Sequence, residues 1–315
     1  MTSLLTNTSA ANALHALRGV NGALDTTQNR IASGLKVESS KDSAAYYQIS
    51  KTMTGDSAAY SSINDGLTVA KNSVATARLG AETLQDLAKQ FLEKVAFAQG
   101  ATGGMDEIEN DLAELVKNME TTLSQSTFNG DDMLGAGATA AAAGAVNAAT
   151  GVLTRTAAST AAAGAAAVAA DRDVVTGITR AGGDYATTSI TVGTYDMMKL
   201  VTDFKALSTG FAAAAKDGAT GEAFLAGALA SSEAVLADVT DVATGLGQSE
   251  KSIENQQGFL KKLVDNIDGG IGAMIDADME EEAARLKALQ TQQQLATQAL
   301  SIANAAPQNV LSLFR

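Results

Sequence analysis

The chain has 315 residues with 22 Lys and Arg, 35 Asp and Glu, one His and no Cys, which gives a formal net charge of −13. With His15 alone, the sequence excludes a zinc site of Cys or His ligands, an iron–sulfur cluster, a disulfide framework and a Cys nucleophile. The acidic balance without a basic block argues against nucleic-acid binding and against docking on an anionic membrane. Since the single proline is Pro307, we expect long helices.

The N-terminal segment, from Met1 to about Leu35, has apolar and amide residues at alternating spacings of three and four. This heptad pattern predicts a coiled-coil helix with a seam at Asn7, Ala10, Leu14, Leu17, Asn21, Leu24, Gln28, Ile31 and Leu35. The C-terminal segment repeats the pattern at Leu286, Leu289, Gln293, Ala296, Leu300, Ala303 and, past an expected helix end near Pro307, Val310. We expect the two ends to pair.

A second apolar stripe accompanies each terminal seam. Near the start it consists of Ala13, Ala16 and Val20, and near the end of Leu295, Ala299, Ile302 and Ala306. Apolar positions on more than one face predict that neither helix faces water alone, and that further copies of this chain cover the second face.

Three interior segments carry helical periodicity and predict a second bundle. The first covers Ser43 to Gln99, with its seam running from Ile49 through Leu67 and Phe91 to Val95. The second covers Asp106 to Gln125, with Ile108, Leu112, Leu115, Met119 and Leu123 on one face. The third covers about Gly221 to Ile267, through Leu229, Leu236, Val239, Ala243, Leu246, Ile253, Leu260 and Leu263.

The middle of the chain differs in composition. From about Gly135 to Ala170 it consists mainly of Ala, Gly and Thr, which bury little area per residue, and we interpret it as a variable surface region. The β-branched runs 173–180 and 185–193, on either side of Ala-Gly-Gly-Asp, predict a β-hairpin.

Few residues are candidates for chemistry. His15 lies beside the N-terminal seam and is interpreted as a packing or interface residue. The acidic cluster Asp276, Asp278, Glu280, Glu281 and Glu282 lacks the spacing of an EF-hand and fits the first turn of a helix. We expect no catalytic, cofactor-binding or metal site. Gly34 on the outward path, and Gly269, Gly270 and Gly272 on the return path, are interpreted as hinges between two helical layers.

The sequence shows neither the pattern of a secretory signal peptide nor that of a membrane span. Residues 1–17 lack a basic region followed by a continuous apolar core, so we expect export without a cleaved signal peptide. Residues 288–314 carry no charged side chain but many amides, which are costly in hydrocarbon, so we expect no membrane insertion.

Three stretches resemble the bacterial flagellins, most closely the alphaproteobacterial type. They are Asn29-Arg30-Ile31-Ala32-Ser33-Gly34-Leu35-Lys36-Val37 with Ser40 to Ala45, then Phe128-Asn129-Gly130, and finally the tail from Gln292 to Arg315. The similarity covers roughly residues 1–135 and 195–315. It implies a structural subunit that polymerises into the extracellular flagellar filament for swimming motility, and not an enzyme.

The resemblance implies a mainly α fold in which long coiled-coil helices from both termini form two stacked helical layers, a filament core (D0) and a rod (D1). A small variable insert contains the β-hairpin. The expected division is 1–42 and 271–315 for the filament core, 43–135 and 195–270 for the rod, and 136–194 for the insert. Taken with the seams, it predicts self-assembly through Leu14, Leu17, Leu24, Ile31, Leu35, Leu289, Leu295, Leu300, Ile302, Val310, Leu313 and Phe314.

The implied partners are other copies of the subunit, a filament cap protein, a hook–filament junction protein, an export chaperone and the flagellar type III export apparatus. One departure concerns innate immune receptors. Many flagellins that these receptors detect carry Gln-Arg-x-Arg-Glu-Leu-Ala, where this chain has Gln90-Phe91-Leu92-Glu93-Lys94-Val95-Ala96. Because Phe91 and Glu93 replace the basic pair, the resemblance does not carry receptor recognition over to this chain.

The sequence also allows three other functions to be considered. A hook–filament junction protein resembles flagellin at both termini, although the signature from Arg30 to Ala45 and the ending Phe314-Arg315 favour flagellin. An amphipathic coat protein of lipid or granule surfaces would need charged outer faces, which residues 288–314 lack. A metalloprotease insert would need His residues in the variable region.

Overall fold

The structure is a computed structural model that describes residues 7–135, 144–154, 168–179 and 186–312. The chain divides into two compact units, one formed by Met1–Ala59 with Leu263–Arg315 and the other by Tyr60–Lys262. The described helices are α1 (Thr8–Ser33), α2 (Ala44–Gly100), α3 (Met105–Gln125), α4 (Met197–Ser208), α5 (Phe211–Ala215), α6 (Gly221–Ile275) and α7 (Met279–Ser312).

Local capping sets the ends of the terminal helices. The Asn7 side chain accepts a hydrogen bond from Ala10 N at 3.0 Å and caps the start of α1. Gly34 ends α1 in the left-handed conformation, with φ of 73°, which glycine adopts without a steric penalty. At the start of α7, the Asp278 carboxylate accepts from the backbone N–H groups of Glu280 and Glu281.

The connections beside these caps pair with each other. Leu35 and Asp276 form an isolated antiparallel bridge. Lys36 N donates to Ile275 O at 2.6 Å, and Ala277 N donates to Gly34 O at 2.9 Å. The segment leaving α1 and the segment entering α7 are therefore joined by backbone hydrogen bonds.

Helices α2 and α6 run antiparallel within the Tyr60–Lys262 unit. Lys71 Nζ donates to Glu254 Oε1 at 2.7 Å, and Gln85 Nε2 donates to Thr240 Oγ1 at 2.9 Å. Every predicted seam position from Leu67 to Val95 on α2 is buried, namely Leu67, Ala70, Val74, Ala77, Ala81, Leu84, Ala88, Phe91 and Val95.

Helices α3 and α4 complete the core of this unit. One face of α3 is buried through Ile108, Leu112, Val116, Met119 and Leu123. From α4, Phe204 packs on Phe91 with ring centroids 4.9 Å apart, while Phe211 of α5 packs on Phe224 of α6 at 5.5 Å. Neither α4 nor α5 was predicted as a separate helix, because both are short and α4 buries residues on most of its surface.

The strands form two antiparallel pairs. β3 (Val168–Thr179) pairs with β4 (Ala186–Tyr195), in agreement with the predicted hairpin, although Ala-Gly-Gly-Asp lies outside the described residues. β1 (Ala145–Val146) pairs with β2 (Leu153–Thr154) inside the low-complexity segment. The shorter hairpin had no sequence pattern to reveal it, since two-residue strands are too short to show a period.

The structure corrects three features of the predicted helices, the first of which is the buried face of α1 and α6. The α1 seam uses Ala13, Val20 and Thr27, which are at least partly buried, whereas Leu14, Asn21 and Gln28 are exposed. On α6, Ala228, Val235 and Val242 are buried one residue before the predicted Leu229, Leu236 and Ala243. In both helices the more buried positions lie one residue before the predicted ones, which corresponds to a rotation of the buried face by about 100° per residue toward that column.

The second correction concerns the predicted glycine joint. Helix α6 does not end near Ile267 but continues through Gly269, Gly270 and Gly272 to Ile275. Glycine costs about 1 kcal/mol per residue in a helix interior, which a long packed helix tolerates. The break between the two helices lies between Ile275 and Met279 instead.

The third correction concerns the end of α7. The helix does not end near Pro307 but continues to Ser312. Proline removes one backbone hydrogen bond from a helix interior and crowds the preceding turn, which disfavours a helix there without forbidding it. The sequence-based boundary was therefore placed about one turn too early.

Helix α6 is also long enough, and apolar enough in one window, to cross a membrane by length and composition alone. Its apolar residues include the core positions Val235, Val239 and Leu246, and the buried Asp238 lies among them. A core helix of a water-soluble bundle passes the same test, so this finding is weak support for a membrane span.

Candidate self-assembly surfaces

Helices α1 and α7 lie side by side in antiparallel orientation. Three contacts define their register: Asn7 Nδ2 donates to Ala303 O at 2.8 Å, Gln293 Nε2 donates to Asn21 Oδ1 at 2.8 Å, and Arg30 pairs with Glu282 at 3.1 Å. The predicted C-terminal seam positions from Leu286 to Ala303 are each partly buried. Amides and one ion pair thus align two helices that partly bury aliphatic side chains between them.

The ion pair lies at the base of this helix pair and is largely shielded from water. The Glu282 side chain is 7% exposed and that of Arg30 is 25% exposed. Glu282 Oε1 receives Arg30 Nη1 at 3.1 Å, with Arg285 Nη1 at 3.5 Å, while Glu282 Oε2 has no hydrogen-bond partner among the described residues. Because a buried carboxylate is costly without a cation, Arg30 is its principal compensation.

Replacing Arg30 by Gln is expected to lower the free energy of unfolding of the α1–α7 pair by about 1–3 kcal/mol, since a buried carboxylate then loses its partner. Adding Glu282→Gln should recover part of this loss, because the double variant leaves no buried charge. Urea denaturation of the four members of this double-mutant cycle, followed by helical circular dichroism, measures the coupling. Strictly additive losses would show that the pair contributes nothing.

The structure separates the twelve predicted interface residues by their environment. Five of them, Leu17, Leu24, Ile31, Leu289 and Leu300, are partly buried between α1 and α7, and Leu35 is partly buried in the connection. Leu14, Leu295 and Ile302 face outward and are 37%, 59% and 73% exposed. Val310 belongs to α7 and its side chain lies outside the described residues, as do Leu313 and Phe314 altogether.

Other exposed apolar residues of this unit were missed by sequence reasoning. Tyr46 and Ile49, one turn apart on α2, are exposed, and so is Met279 at the start of α7. Ile49 belongs to the predicted seam of α2. Among the positions of that seam, those from Leu67 onward are buried, whereas Ile49 is exposed. No local pattern marks these positions as exposed, since Tyr46 is flanked by Ala45 and Tyr47 as it could be in a buried stretch.

The predicted hinge residues lie in two different environments. Gly34 occupies the left-handed position that ends α1, directly beside the paired connections. Gly269, Gly270 and Gly272 lie in the helical interior of α6. In this conformation only Gly34 is at a break between helices, and a hinge motion there stays a prediction.

Surface charges in the Tyr60–Lys262 unit are paired between α2 and α6. Arg78 donates to Glu250 at 2.7 Å and also pairs with Glu82. The hydrogen bond from Lys71 lowers the pKa of Glu254 below its ordinary value, and the same bond raises the pKa of Lys71. Any stabilisation from the depressed carboxyl is present above its unfolded pKa and is lost as the pH falls through the folded pKa.

The stretch that replaces the receptor-binding motif has a structural role here. Phe91 is fully buried against Phe204, so this position offers no surface contact. Glu93 is exposed, and Lys94 pairs with Asp111 of α3 at 2.6 Å. His15 is exposed on α1, so it does not pack within the single chain, and a place at an interface between chains stays a prediction.

Two long terminal helices that pair with each other, in a chain that is mainly helical, define a helical structural protein. Within the described residues, no group of three or more His, Asp or Glu side chains is placed to hold a metal ion. The family model of the bacterial flagellin N-terminal helical region matches residues 4–139, and that of the C-terminal helical region matches residues 229–314.

Curated relatives agree with these matches over the whole chain. Flagellin C of Rhizobium meliloti (strain 1021) is 36% identical over 321 aligned residues, and a flagellin of Brucella melitensis biotype 1 is 33% identical, each with complete coverage of both chains. The chain belongs to the bacterial flagellin family. It is a structural subunit of the extracellular flagellar filament and not an enzyme, and nothing in these matches favours a junction or coat protein.

Proposed function

We propose that the outward apolar residues of the α1–α7 pair, Leu14, Leu295 and Ile302, form contacts between subunits in the filament. Their exposure in the single chain is the observation that supports this assignment. Leu295 and Ile302 are seven residues apart, which places them on one face of the uncharged part of α7, and an exposed apolar patch marks an interaction surface. Leu17, Leu24, Ile31, Leu289 and Leu300 contribute indirectly, by holding the two helices in register.

The absence of charged side chains from residues 288–314 supports the same proposal. A helix surrounded by copies of itself would bury any Lys or Glu, whereas Gln and Asn can pair with neighbouring amides or with trapped water. Gln293 already pairs with Asn21 inside one chain. The exposed amides of α7, such as Gln290, Gln294 and Gln298, are available to pair between chains in the same manner.

Assembly would also stabilise the terminal helices themselves. Ordering about 60 terminal residues costs roughly 1–2 kcal/mol each in backbone entropy, and the thin seam of one helix pair offsets only part of that. Contacts on the outer face supply further buried area, so the ends fold fully as the subunit is incorporated. A head-to-tail contact that does not close produces an open helical polymer.

The finer organisation follows from the family resemblance. We assign residues 1–42 and 271–315 to the filament core and residues 43–135 and 195–270 to the rod, with residues 136–194 as the variable insert. The compact units divide α2 and α6 elsewhere, after Ala59 and after Lys262. We further propose export without a cleaved signal peptide through the flagellar type III apparatus with a chaperone, and contacts with a cap and a junction protein.

The test of the assembly surface is seeded polymerisation of the full chain. Leu295→Gln combined with Ile302→Gln is expected to leave a folded, soluble monomer that fails to elongate seeds, because both side chains are exposed in the single chain. Sedimentation and negative-stain microscopy give the readout. The chain lacking residues 288–315 serves as the negative reference.

A matched control uses exposed polar positions on the same helix. Thr291→Ser combined with Thr297→Ser changes two exposed residues of α7 and keeps the hydroxyls that bond to the backbone of the same helix, so this variant should elongate seeds as the parent does. Normal elongation by the Leu295 and Ile302 double variant would overturn the assignment. Failure of the unmodified chain to elongate seeds would instead favour a junction protein.

A further inference from the structure

The turn after α3 has a backbone conformation that residues other than glycine rarely adopt. Asn129 has φ of 50° and Gly130 has φ of 79°, and Asn129 is the non-glycine residue with positive φ among those described. Phe128 N donates to Asp131 O at 3.0 Å, and Asp131 N donates to Phe128 O at 2.8 Å. Two central residues with positive φ, clamped by flanking hydrogen bonds, match a two-residue type I′ turn.

The two central residues are open to solvent. Both Asn129 and Gly130 are exposed, and a Cβ added at Gly130 would meet nothing within 4 Å. The two backbone hydrogen bonds of the turn join Phe128 and Asp131, so Gly130 N takes no part in them. The peptide nitrogen of Gly130 therefore donates neither of the turn's two backbone hydrogen bonds, and its residue has no side chain and is exposed to solvent.

We propose that Asn129 is a site of spontaneous deamidation in the folded subunit. The nitrogen of Gly130 attacks Cγ of the Asn129 side chain and loses its proton to solvent, and Nδ2 departs as ammonia, which leaves a five-membered succinimide. Water then opens the ring at either carbonyl. Attack at one gives Asp at position 129, and attack at the other gives isoaspartate, whose backbone runs through the former side chain.

The chain contains a second Asn-Gly pair that serves as an internal comparison. Asn21 and Gly22 lie in the interior of α1, where the peptide N–H of Gly22 is engaged in the helix. The side chain of Asn21 is also held, because its Oδ1 accepts from Gln293 Nε2 at 2.8 Å. At Asn21-Gly22 the fold thus restrains both the attacking peptide nitrogen and the side-chain amide. Asn129 and Gly130, by contrast, are both exposed.

Deamidation at Asn129 has a structural consequence through Asp131. The Asp131 carboxylate accepts hydrogen bonds from Ser73 of α2 and from Arg172 of β3, so this residue ties the turn to a helix and to a hairpin. Isoaspartate adds one backbone atom to a loop whose two residues match the strand twist, and so displaces Asp131. The modified subunit therefore loses charge-assisted contacts that join α2 to the β3–β4 hairpin.

The experiment ages the full-length protein in mildly alkaline buffer, folded and in urea, and maps peptides by mass spectrometry with fragmentation that separates Asp from isoaspartate. In the folded protein Asn129 should convert at least tenfold faster than Asn21, while in urea the two should convert at similar rates. Equal protection of both in the folded protein, with conversion of both in urea, would overturn the proposal.

Asn129→Gly tests the consequence. This variant keeps a residue suited to positive φ but has no side-chain amide, so it should fold like the parent. On ageing, the parent should lose thermal stability and hydrogen-exchange protection in 168–179, whereas Asn129→Gly should not. Equal loss in both proteins would show that the modification does not act through the Asp131 contacts.

Discussion

Replacing Gly227 by Ala is expected to lower the free energy of unfolding of the Tyr60–Lys262 unit by about 1–3 kcal/mol or more. A Cβ at Gly227 would lie 1.8 Å from Thr150 O and 3.1 Å from Gly151 C. The obstruction is reciprocal, because a Cβ at Gly151 would lie 1.9 Å from Phe224 O. Since the clashing atoms are backbone on both sides, no side-chain rotation relieves them.

The contact at Gly227 attaches the β1–β2 hairpin to α6. Ser231 accepts from Leu153 N at 3.0 Å and donates to Gly151 O at 3.3 Å, and Asp203 of α4 accepts from Gly144 N at 3.3 Å. In Gly227→Ala the hairpin must move away, so these hydrogen bonds should be lost together. Hydrogen exchange of the amides in 144–154 should accelerate at the same time as stability falls in urea denaturation.

Gly258→Ala provides the matched control in the same helix. Gly258 is exposed and a Cβ there would meet nothing within 4 Å, so the substitution changes only the backbone propensity. Alanine is about 1 kcal/mol more favourable than glycine in a helix interior, and we expect a gain of about 0.5–1 kcal/mol. If both variants changed stability in the same direction, the close approach would not be the cause.

Leu300→Asp is expected to abolish filament formation while leaving a soluble monomer. Leu300 is partly buried between α1 and α7, and the register places it opposite the part of α1 between Asn7 and Asn21. The carboxylate would be desolvated in a seam that has no cation there, and the apolar contact would be lost as well. Removing the leucine alone typically costs about 2–5 kcal/mol in a closed core, less where it is partly exposed.

Seeded polymerisation followed by sedimentation measures this effect, and helical circular dichroism of the monomer reports the loss of the terminal pair. Leu300→Met is the control, because it keeps the volume and apolar character of the position. Leu300→Asp differs from the Leu295 and Ile302 variant in its monomer: it should lose helix, whereas the outward substitutions should not. Normal filaments from Leu300→Asp would show that Leu300 is not required for assembly.

Much of the fold could be predicted from local patterns. The near absence of proline, the seams from Leu67 to Val95 and from Leu286 to Ala303, and the β-branched runs of the longer hairpin each predicted the element that the structure contains. These patterns are local, because residues three or four apart share a helix face and residues two apart share a strand face. The flagellin motifs at both ends then identified the family.

The column of the terminal seam was harder to predict. Ala10, Leu17, Leu24 and Ile31 fit two heptads equally well, one continuing through Leu14 and the other through Ala13 and Val20. Val20 is more apolar than Asn21, which was the available signal for the second choice. In the structure Ala13 and Val20 are partly buried, whereas Leu14 is exposed.

By itself the sequence determined the types of the long elements, the pairing of the two ends, the absence of charge from residues 288–314 and the family, because these depend on composition, short motifs and short-range periodicity. The tertiary structure decided which face of α1 turns inward, that α6 continues through three glycines, that Arg30 meets Glu282, and that Gly151 and Gly227 bring a hairpin against a helix. Each of these depends on how residues distant in sequence meet, and their geometry is fixed only when the helices pack.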